Sequence, residues 1–416
     1  MAARIEGNLK KILLQNKFQI YIFPFVLIAL YLGYYSAQRQ VDFAVFWTAG
    51  QNWNEKRNPY ELLNQSNPGH PYVNAPSALF LFSVLARLDL EVAALVFRAI
   101  SAALGILLCF VIQKRMHIPV LFTVPVLVFS VPFRVTIGSG QVGLVVCLSF
   151  FLLFLLETRG TKIELLQKIF LGLVVLSLKP YMFLGFMVFL FLKRSFSLLL
   201  LTPFVFLLIN SLMSPNFFYI REWISNLRSL GSVTLSEANN SSIIAITNRF
   251  TGSVVFALVC YIAINSFLIF KLWMNIHQTK IAIFYTTILA IELSPYVHHQ
   301  DYLLPLFGFF IISSEFGSKV SKTLSIWLGV GLQFNSLQIQ ALIEAYRTVF
   351  FWREKMFGYS MFFLALGGLI AHQWSLGNLE TAFALYDATY QFWVLSLIAI
   401  QIIISRRARD KDLTRQ

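Results

Sequence analysis

Long apolar runs recur along most of this chain, and they limit its fold more than any other feature. Many of them reach the roughly 17–25 residues that cross a bilayer as one helix. Over the whole chain 57% of residues are hydrophobic and 12% are charged, whereas soluble domains carry about 25% charged residues. We therefore expect an all-α, polytopic membrane protein that forms a single integral membrane domain over residues 1–416.

The apolar runs predict about twelve membrane helices, within a range of roughly 11 to 14. The first run follows basic residues, as in a signal peptide, but it is too long and no small-residue cleavage site follows it. We therefore expect it to remain as the first membrane helix. The predicted spans are 18–36, 91–112, 118–135, 141–157, 168–192, 196–213, 253–273, 280–297, 301–314, 322–338, 356–373 and 389–405.

Basic residues lie mostly in the short segments between apolar runs and at both termini. Cytoplasmic loops of membrane proteins carry such an excess of Lys and Arg. This bias accounts for the net charge of +14 better than nucleic-acid binding does. We therefore expect the protein to contact membrane lipid and not to bind nucleic acid. It predicts cytoplasmic termini in an inner or plasma membrane, with outer segments at 37–90, 214–252 and 295–301.

Lys179 and Pro180 interrupt the run 168–192. Proline removes a backbone donor and disfavours helix at the residue before it. A single crossing would also place the basic residues at the two ends of this run on opposite sides of the membrane, against the positive-inside bias. We therefore expect two short arms that meet at Lys179 near the outer side.

Polar residues that could carry chemistry lie in the predicted outer segments. Asp42 follows the first apolar run among aromatic residues, which favour the membrane–water interface. Asn58-Pro59-Tyr60 predicts a turn, and Tyr72 begins a proline-containing stretch before the next apolar run. Ser294-Pro295 comes shortly before the paired His298 and His299.

These motifs, with Gly140-Gln141-Val142-Gly143 and Leu178-Lys179-Pro180-Tyr181, resemble glycosyltransferase family 87 over residues 41 to about 305. The resemblance implies a GT-C fold with an outer active site, and an activity similar to that of polyprenyl-phosphate-mannose-dependent mannosyltransferases. It implies that Asp42 is the general base. Two departures bear on the sugar and the acceptor rather than on the fold: Tyr72-Val73-Asn74-Ala75-Pro76 replaces a Tyr-Pro-Pro element, and the gap between Ser-Pro and His-His is short.

Transfer from a lipid phosphate needs one carboxylate base on the acceptor side and donors that stabilise the departing phosphate. We expect inverting transfer of a sugar, mannose on the resemblance, from a polyprenyl-phosphate sugar to a glycolipid or glycan acceptor. The candidates for donor phosphate or sugar binding are Lys179, His298, His299, Arg134 and Gln141. The candidates for acceptor or loop contacts are Tyr60, Tyr72, Arg221 and Arg249.

Neither a cofactor nor a metal ion is expected, because the sequence has no metal-ligand spacing and no glycine-rich phosphate loop. Three other activities remain open: transfer of another lipid-linked sugar such as arabinofuranose, transport or flipping of lipid-linked sugars, and polymerisation or ligation of glycans from a diphosphate-linked donor. A transporter more often has related halves and charges along a path. The ionisable residues here cluster at predicted outer helix ends instead.

Overall fold

The computed structural model describes residues 41–61, 72–116, 130–155, 162–234, 240–294 and 296–313, with the isolated residues 127, 391, 398 and 402. All regular structure within these segments is helical. The α-helices are α1 (Val41–Asn54), α2 (Leu79–Leu85), α3 (Leu90–Met116), α4 (Val131–Ser139), α5 (Gly143–Leu155), α6 (Lys162–Leu178), α7 (Pro180–Leu192), α8 (Phe196–Met213), α9 (Phe218–Thr234), α10 (Ile243–Thr251), α11 (Val254–Met274), α12 (Thr279–Glu292) and α13 (Leu303–Ser313). Short 3-10 turns occupy Pro76–Ala78, Pro215–Phe217 and His299–Tyr302.

Three of the described helices are long and apolar enough to cross a membrane, namely the Leu90–Ile112 part of α3, α8 and α11. Large apolar side chains on α8 and α11, such as Phe204 and Val255, are exposed, as expected of surfaces that face lipid. The described part of the chain is thus the all-helical bundle of a membrane protein. The number of about twelve crossings stays a prediction. Its spans 18–36, 322–338 and 356–373, and most of 118–135 and 389–405, lie outside the described residues.

Two predicted span boundaries are wrong. The span 118–135 does not continue as one helix, because Ser130 is extended (φ −69°, ψ 141°) and its hydroxyl caps a new helix by accepting a hydrogen bond from the amide of Phe133. The span 280–297 ends at Glu292, since a proline follows at position 295 and disfavours helix before it. By contrast, 196–213 coincides with α8.

The chain reverses direction at Lys179, as the Lys-Pro pair predicts. Lys179 leaves the helical region (φ −148°, ψ 77°), and Pro180 begins α7. A Cβ atom added to Gly172 in α6 would lie 3.3 Å from the ring of Phe183 in α7 and 2.7 Å from the side chain of Thr202 in α8. Since Gly172 and Phe183 are in contact across the break, α6 and α7 fold back on each other and are antiparallel.

Several helix ends meet around this reversal, and we call this part of the bundle the lysine end. The amide of Ala75 donates to the carbonyl of Ser177 (3.1 Å), at the end of α6. The amide of Ser77 donates to the side-chain oxygen of Asn210 (2.8 Å), near the end of α8. The segment before α2 therefore ties the ends of α6 and α8 together.

Helix α12 lies at the centre of the described bundle, because every side chain from Ala282 to Glu292 is buried. It packs against α7 at very short range: a Cβ atom on Gly185 would lie 2.4 Å from the backbone nitrogen of Ala290. Small residues let membrane helices approach closely in this way. The contact fixes α7, which begins directly after Lys179, against α12, which leads into the turn with the paired histidines.

Candidate active site

The ammonium group of Lys179 is buried at the lysine end and forms an ion pair with the carboxylate of Asp301. The hydroxyl of Tyr181 donates to Oδ2 of Asp301 (2.9 Å), and the backbone amide of His298 donates to the same oxygen (3.1 Å). A charged group deep in a membrane bundle is costly unless it is paired and hydrogen-bonded. These three donors meet that requirement for Asp301, and Asp301 meets it for Lys179.

The turn with the paired histidines is ordered by this carboxylate. His298 is half-buried, and its ring packs edge-on against the ring of Tyr296 with centroids 4.3 Å apart. His299 begins the 3-10 turn that leads into α13. The side chains of His299 and of Arg134, a residue of α4, lie outside the described part of the structure. His298 thus lies three residues before Asp301, the carboxylate of the ion pair with Lys179.

Asp42 lies in the first turn of α1 and is half-buried. Its carboxylate makes no hydrogen bond or ion pair with any residue that the structure describes. The next residue, Phe43, is buried and stacks on Phe97 of α3 with ring centroids 5.2 Å apart. The start of α1 is therefore fixed by its aromatic neighbour.

Gly140 sets the position of Asp42 relative to the histidine turn. It ends α4 in the left-handed conformation (φ 73°), which glycine adopts without strain. A Cβ atom there would lie 2.5 Å from Cβ of Phe43. Helix α4 in turn packs on the 3-10 turn His299–Tyr302. The start of α1, the end of α4 and the turn with Asp301 are consequently neighbours. Gln141 follows Gly140 and is half-buried, and its backbone N–H donates to the carbonyl of Thr136 (2.9 Å).

The phenols of Tyr60 and Tyr72 are both buried. The hydroxyl of Tyr60 donates to the carbonyl of Asn74 (3.0 Å), whereas that of Tyr72 has no hydrogen-bond partner among the described residues. Burial raises the pKa of both phenols well above the ordinary value, and Tyr72 nearby raises that of Tyr60 further. Both therefore stay protonated near neutral pH, and neither competes with Asp42 as a base by ionising.

The two arginines of the second outer segment lie in different surroundings. Arg221 is exposed in α9, where its guanidinium lies 5.8 Å from the centre of the Phe218 ring. Arg249 lies in the last turn of α10, and its guanidinium donates to the carbonyl of Asn240 (2.6 Å). Arg249 therefore stabilises its own loop, and no described contact brings either arginine to the Lys179–Asp301 pair.

The polar stretch Asn240 to Ser242 is buried rather than solvated. The side-chain oxygen of Asn240 accepts from the amide of Val297 (3.1 Å), and the amide of Ser241 donates to the carbonyl of Val297 (2.7 Å). On the other side, the indole of Trp223 in α9 donates to the carbonyl of Val73 (2.8 Å). Helix α9, the stretch 240–242, the turn 296–301 and the segment 72–77 are thereby brought together at the lysine end.

An apolar cavity of about 420 Å³ opens next to this site. It adjoins the hydrogen bond between the hydroxyls of Ser77 and Ser177 (2.6 Å), two residues before Lys179. Its lining is almost wholly apolar and includes Phe206, together with Phe80 and Phe170, which are also exposed on the outer surface of the bundle. The cavity therefore leads from the surface that would face lipid toward the residue before the reversal.

Sequence reasoning missed two charged residues near this site. Asp301 is not among the predicted site residues, although a lysine amid apolar residues calls for a carboxylate partner and aspartate is rare in this chain. Arg98 is not among the predicted site residues either, although it is a charge within the predicted span 91–112. Among the described residues, no three His, Cys, Asp or Glu side chains converge as metal ligands would.

The architecture is that of a helical membrane protein in which polar side chains meet at helix ends beside an apolar cavity. The model of glycosyltransferase family 87 matches residues 72–295, which is more than half of the chain. The chain therefore belongs to glycosyltransferase family 87, and the family predicted from the sequence motifs is confirmed. Searches of the curated proteins and of the solved structures found no match. Asp42 and Tyr60 precede the matched residues, so their roles depend on the geometry described above.

Proposed function

We propose that this glycosyltransferase moves a sugar, mannose in the first instance, from a polyprenyl-phosphate donor to a hydroxyl of a glycolipid or glycan on the outer membrane face. The observation that carries the proposal is the carboxylate of Asp42, which has no partner among the described residues and is held by Phe43 and Gly140 next to the helix that packs on the histidine turn. A carboxylate in this state suits a general base. The adjoining apolar cavity supports a donor that carries a lipid chain.

In the proposed reaction Asp42 takes the proton of the acceptor hydroxyl. The hydroxyl oxygen attacks the anomeric carbon from the side opposite the phosphate and forms the new glycosidic bond. The bond between the anomeric carbon and the phosphate oxygen breaks, and its electron pair leaves with polyprenyl phosphate. The configuration inverts, and the phosphate leaves without needing an acid.

Lys179 has a more restricted role in this proposal than a free cation would have. Its charge is balanced by Asp301, so the pair adds little net attraction for a phosphate. The ammonium group can still donate to a phosphate oxygen while it stays paired. His298, and with it His299, Arg134 and Gln141, remain the proposed contacts for donor phosphate or sugar. Tyr60 and Tyr72 remain proposed contacts of the acceptor, and so do Arg221 and Arg249.

The decisive variant is Asp42→Asn, which keeps the shape of the side chain and removes the base. With purified protein, polyprenyl-phosphate mannose and a glycolipid extract as acceptor, we expect transfer to fall by about 10²-fold or more. Asp89→Asn is the matched control, because Asp89 is exposed before α3 and asparagine is an equally good helix cap. We expect this control to keep its activity.

Retained turnover in Asp42→Asn would remove Asp42 as the base. A donor panel that includes polyprenyl-phosphate arabinofuranose separates mannose transfer from transfer of another lipid-linked sugar. Flux of the lipid-linked sugar across proteoliposomes without any glycosylated product would contradict the enzyme and favour a flippase.

A further inference from the structure

Arg98 is a buried cation that no described residue satisfies. It lies in α3, within the span Leu90–Ile112, and only 6% of its surface is exposed. Its Nε and Nη2 atoms are buried and have no hydrogen-bond partner in the described part of the chain. These two nitrogens form one edge of the planar guanidinium, and such an edge binds two oxygens of a phosphate or carboxylate side by side.

A second unpartnered donor lies one helical turn from Arg98. The hydroxyl of Ser101 is buried and has no hydrogen-bond partner among the described residues. Arg98, Ser101 and Gly105 are spaced three and four residues apart, so they share one face of α3. That face is directed to the bundle interior, since a Cβ atom on Gly105 would lie 3.0 Å from Phe133 of α4 and 3.2 Å from Leu144 of α5.

This face of α3 is close to the candidate base. Phe97, next to Arg98, stacks on Phe43, next to Asp42. The Cα and Cβ atoms of Phe43 pack on Gly140, at the end of α4. Arg98 is therefore at the same level of the bundle as Asp42, about 12 Å along the helix from the start of α3.

The positive charge of Arg98 indicates that the partner it lacks among the described residues is an anion. Within the described segments, the buried charged side chains are Arg98, Lys179, Glu292 and Asp301. Lys179 and Asp301 neutralise each other. Glu292 lies at the end of α12 beside α11, where its carbonyl accepts from Asn265 (3.2 Å), and it forms no ion pair with Arg98. A buried guanidinium without a counter-charge is strongly unfavourable, so Arg98 calls for a negative ligand.

We infer that Arg98 binds the phosphate of the lipid-linked donor through Nε and Nη2, with the hydroxyl of Ser101 as a further donor. This inference rests on the proposed function and adds the cation that the paired Lys179 does not supply. Two parallel hydrogen bonds fix the position of the phosphate relative to Asp42. These bonds strengthen as the bond between the anomeric carbon and the phosphate breaks, because the phosphate then gains negative charge. Arg98 thus acts on the leaving group while Asp42 acts on the acceptor.

The test is binding of polyprenyl phosphate to purified Arg98→Gln, with polyprenol of the same chain length as the uncharged probe. Loss of charge-assisted hydrogen bonds should weaken polyprenyl phosphate binding by about ten-fold or more, and leave polyprenol binding unchanged. Arg87→Gln is the matched control, because Arg87 is exposed in the connection before α3. Arg98→Lys, which keeps the charge but loses the planar edge, should give an intermediate affinity.

Unchanged polyprenyl phosphate affinity in Arg98→Gln would overturn the inference, and a loss of thermal stability alone would assign Arg98 to a partner elsewhere in the chain. Should Arg98→Gln fail to fold, the decision passes to Arg98→Lys: thermal stabilisation by polyprenyl phosphate equal to that of the wild type would contradict the inference. A wild-type protein that does not prefer polyprenyl phosphate to polyprenol would refute the proposed donor itself. That result is distinct from the one that overturns only the role of Arg98, in which the wild type prefers polyprenyl phosphate to polyprenol and Arg98→Gln binds polyprenyl phosphate as tightly as the wild type does.

Discussion

At the scale of single residues, the Lys179–Asp301 pair couples the reversal between α6 and α7 to the turn before α13. Both groups are buried, so removing either one leaves a charge without a partner. We expect Asp301→Asn to destabilise the protein by about 3–5 kcal/mol, and Lys179→Met also to destabilise it. The double variant should be more stable than the sum of the two losses implies. Thermal unfolding in one detergent measures all four proteins of this double-mutant cycle.

Asp89→Asn serves again as the control, since it makes the same chemical change at an exposed site and should leave the unfolding temperature unchanged. Strictly additive losses in the cycle would show that the two side chains do not stabilise each other. A separate measurement of transfer activity tells whether the paired lysine also contributes to catalysis.

The sequence predicted individual polar residues better than it predicted their partners. Lys179 is recognisable because a lysine in an apolar run is costly. Its partner Asp301 lies 122 residues away, and no local pattern encodes a contact over that separation. The same limit applies to Asn240. Its polar neighbours in the sequence favour a solvated turn. Its buried position depends on hydrogen bonds with Val297, from a different segment.

At the scale of elements, Gly140 connects the end of α4 to the start of α1. We expect Gly140→Ala to cost about 1–2 kcal/mol from the left-handed conformation, and in addition to push α1 away because its Cβ would clash with Phe43. Since Asp42 lies in the first turn of α1, transfer activity should fall more than stability does. The measurement is kcat with saturating donor, together with the unfolding temperature.

Gly252→Ala is a closely matched control for this prediction. Gly252 also ends a helix in the left-handed conformation (φ 66°), but a Cβ atom there would have no heavy atom within 4 Å. It should lose a similar amount of stability and keep its turnover per folded molecule. Equal loss of activity in the two variants would show that the contact between Gly140 and Phe43 does not position the base.

Helices were predictable where a local signal fixes them, and less so where tertiary contacts do. The Lys179–Pro180 break follows from the geometry of proline, and α8 follows from its continuous apolar run. The segment 214–252 was predicted only as an outer segment, yet it contains α9 and α10. Their polar residues dilute the apolar signal, and they are held by contacts to other segments, such as the hydrogen bond from Trp223 to Val73.

At the scale of the whole molecule, the sidedness of the membrane decides whether Asp42 can meet an outer acceptor. Helix α8 is long enough to cross the membrane, and it separates the turn at Lys193 from the lysine end. Glu61 lies at the lysine end, since the side chain of Asn226 in α9 donates to the carbonyl of the preceding residue, Tyr60 (3.3 Å). The basic pair at 193–194 predicts that its turn is cytoplasmic. Glu61 and Lys193 should therefore face opposite compartments.

Single cysteines at these two exposed positions test the topology directly, in a background in which Cys109, Cys147 and Cys260 are replaced by alanine. In intact cells, we expect a membrane-impermeant maleimide to label Glu61→Cys and to leave Lys193→Cys unlabelled until the membrane is permeabilised. Labelling of Lys193→Cys alone would place Asp42 and the lysine end in the cytoplasm, where an outer glycan cannot be the acceptor. Labelling of both from outside would mean that α8 does not cross the membrane, and the site would then lack the lipid-facing wall through which we propose that the polyprenyl chain enters.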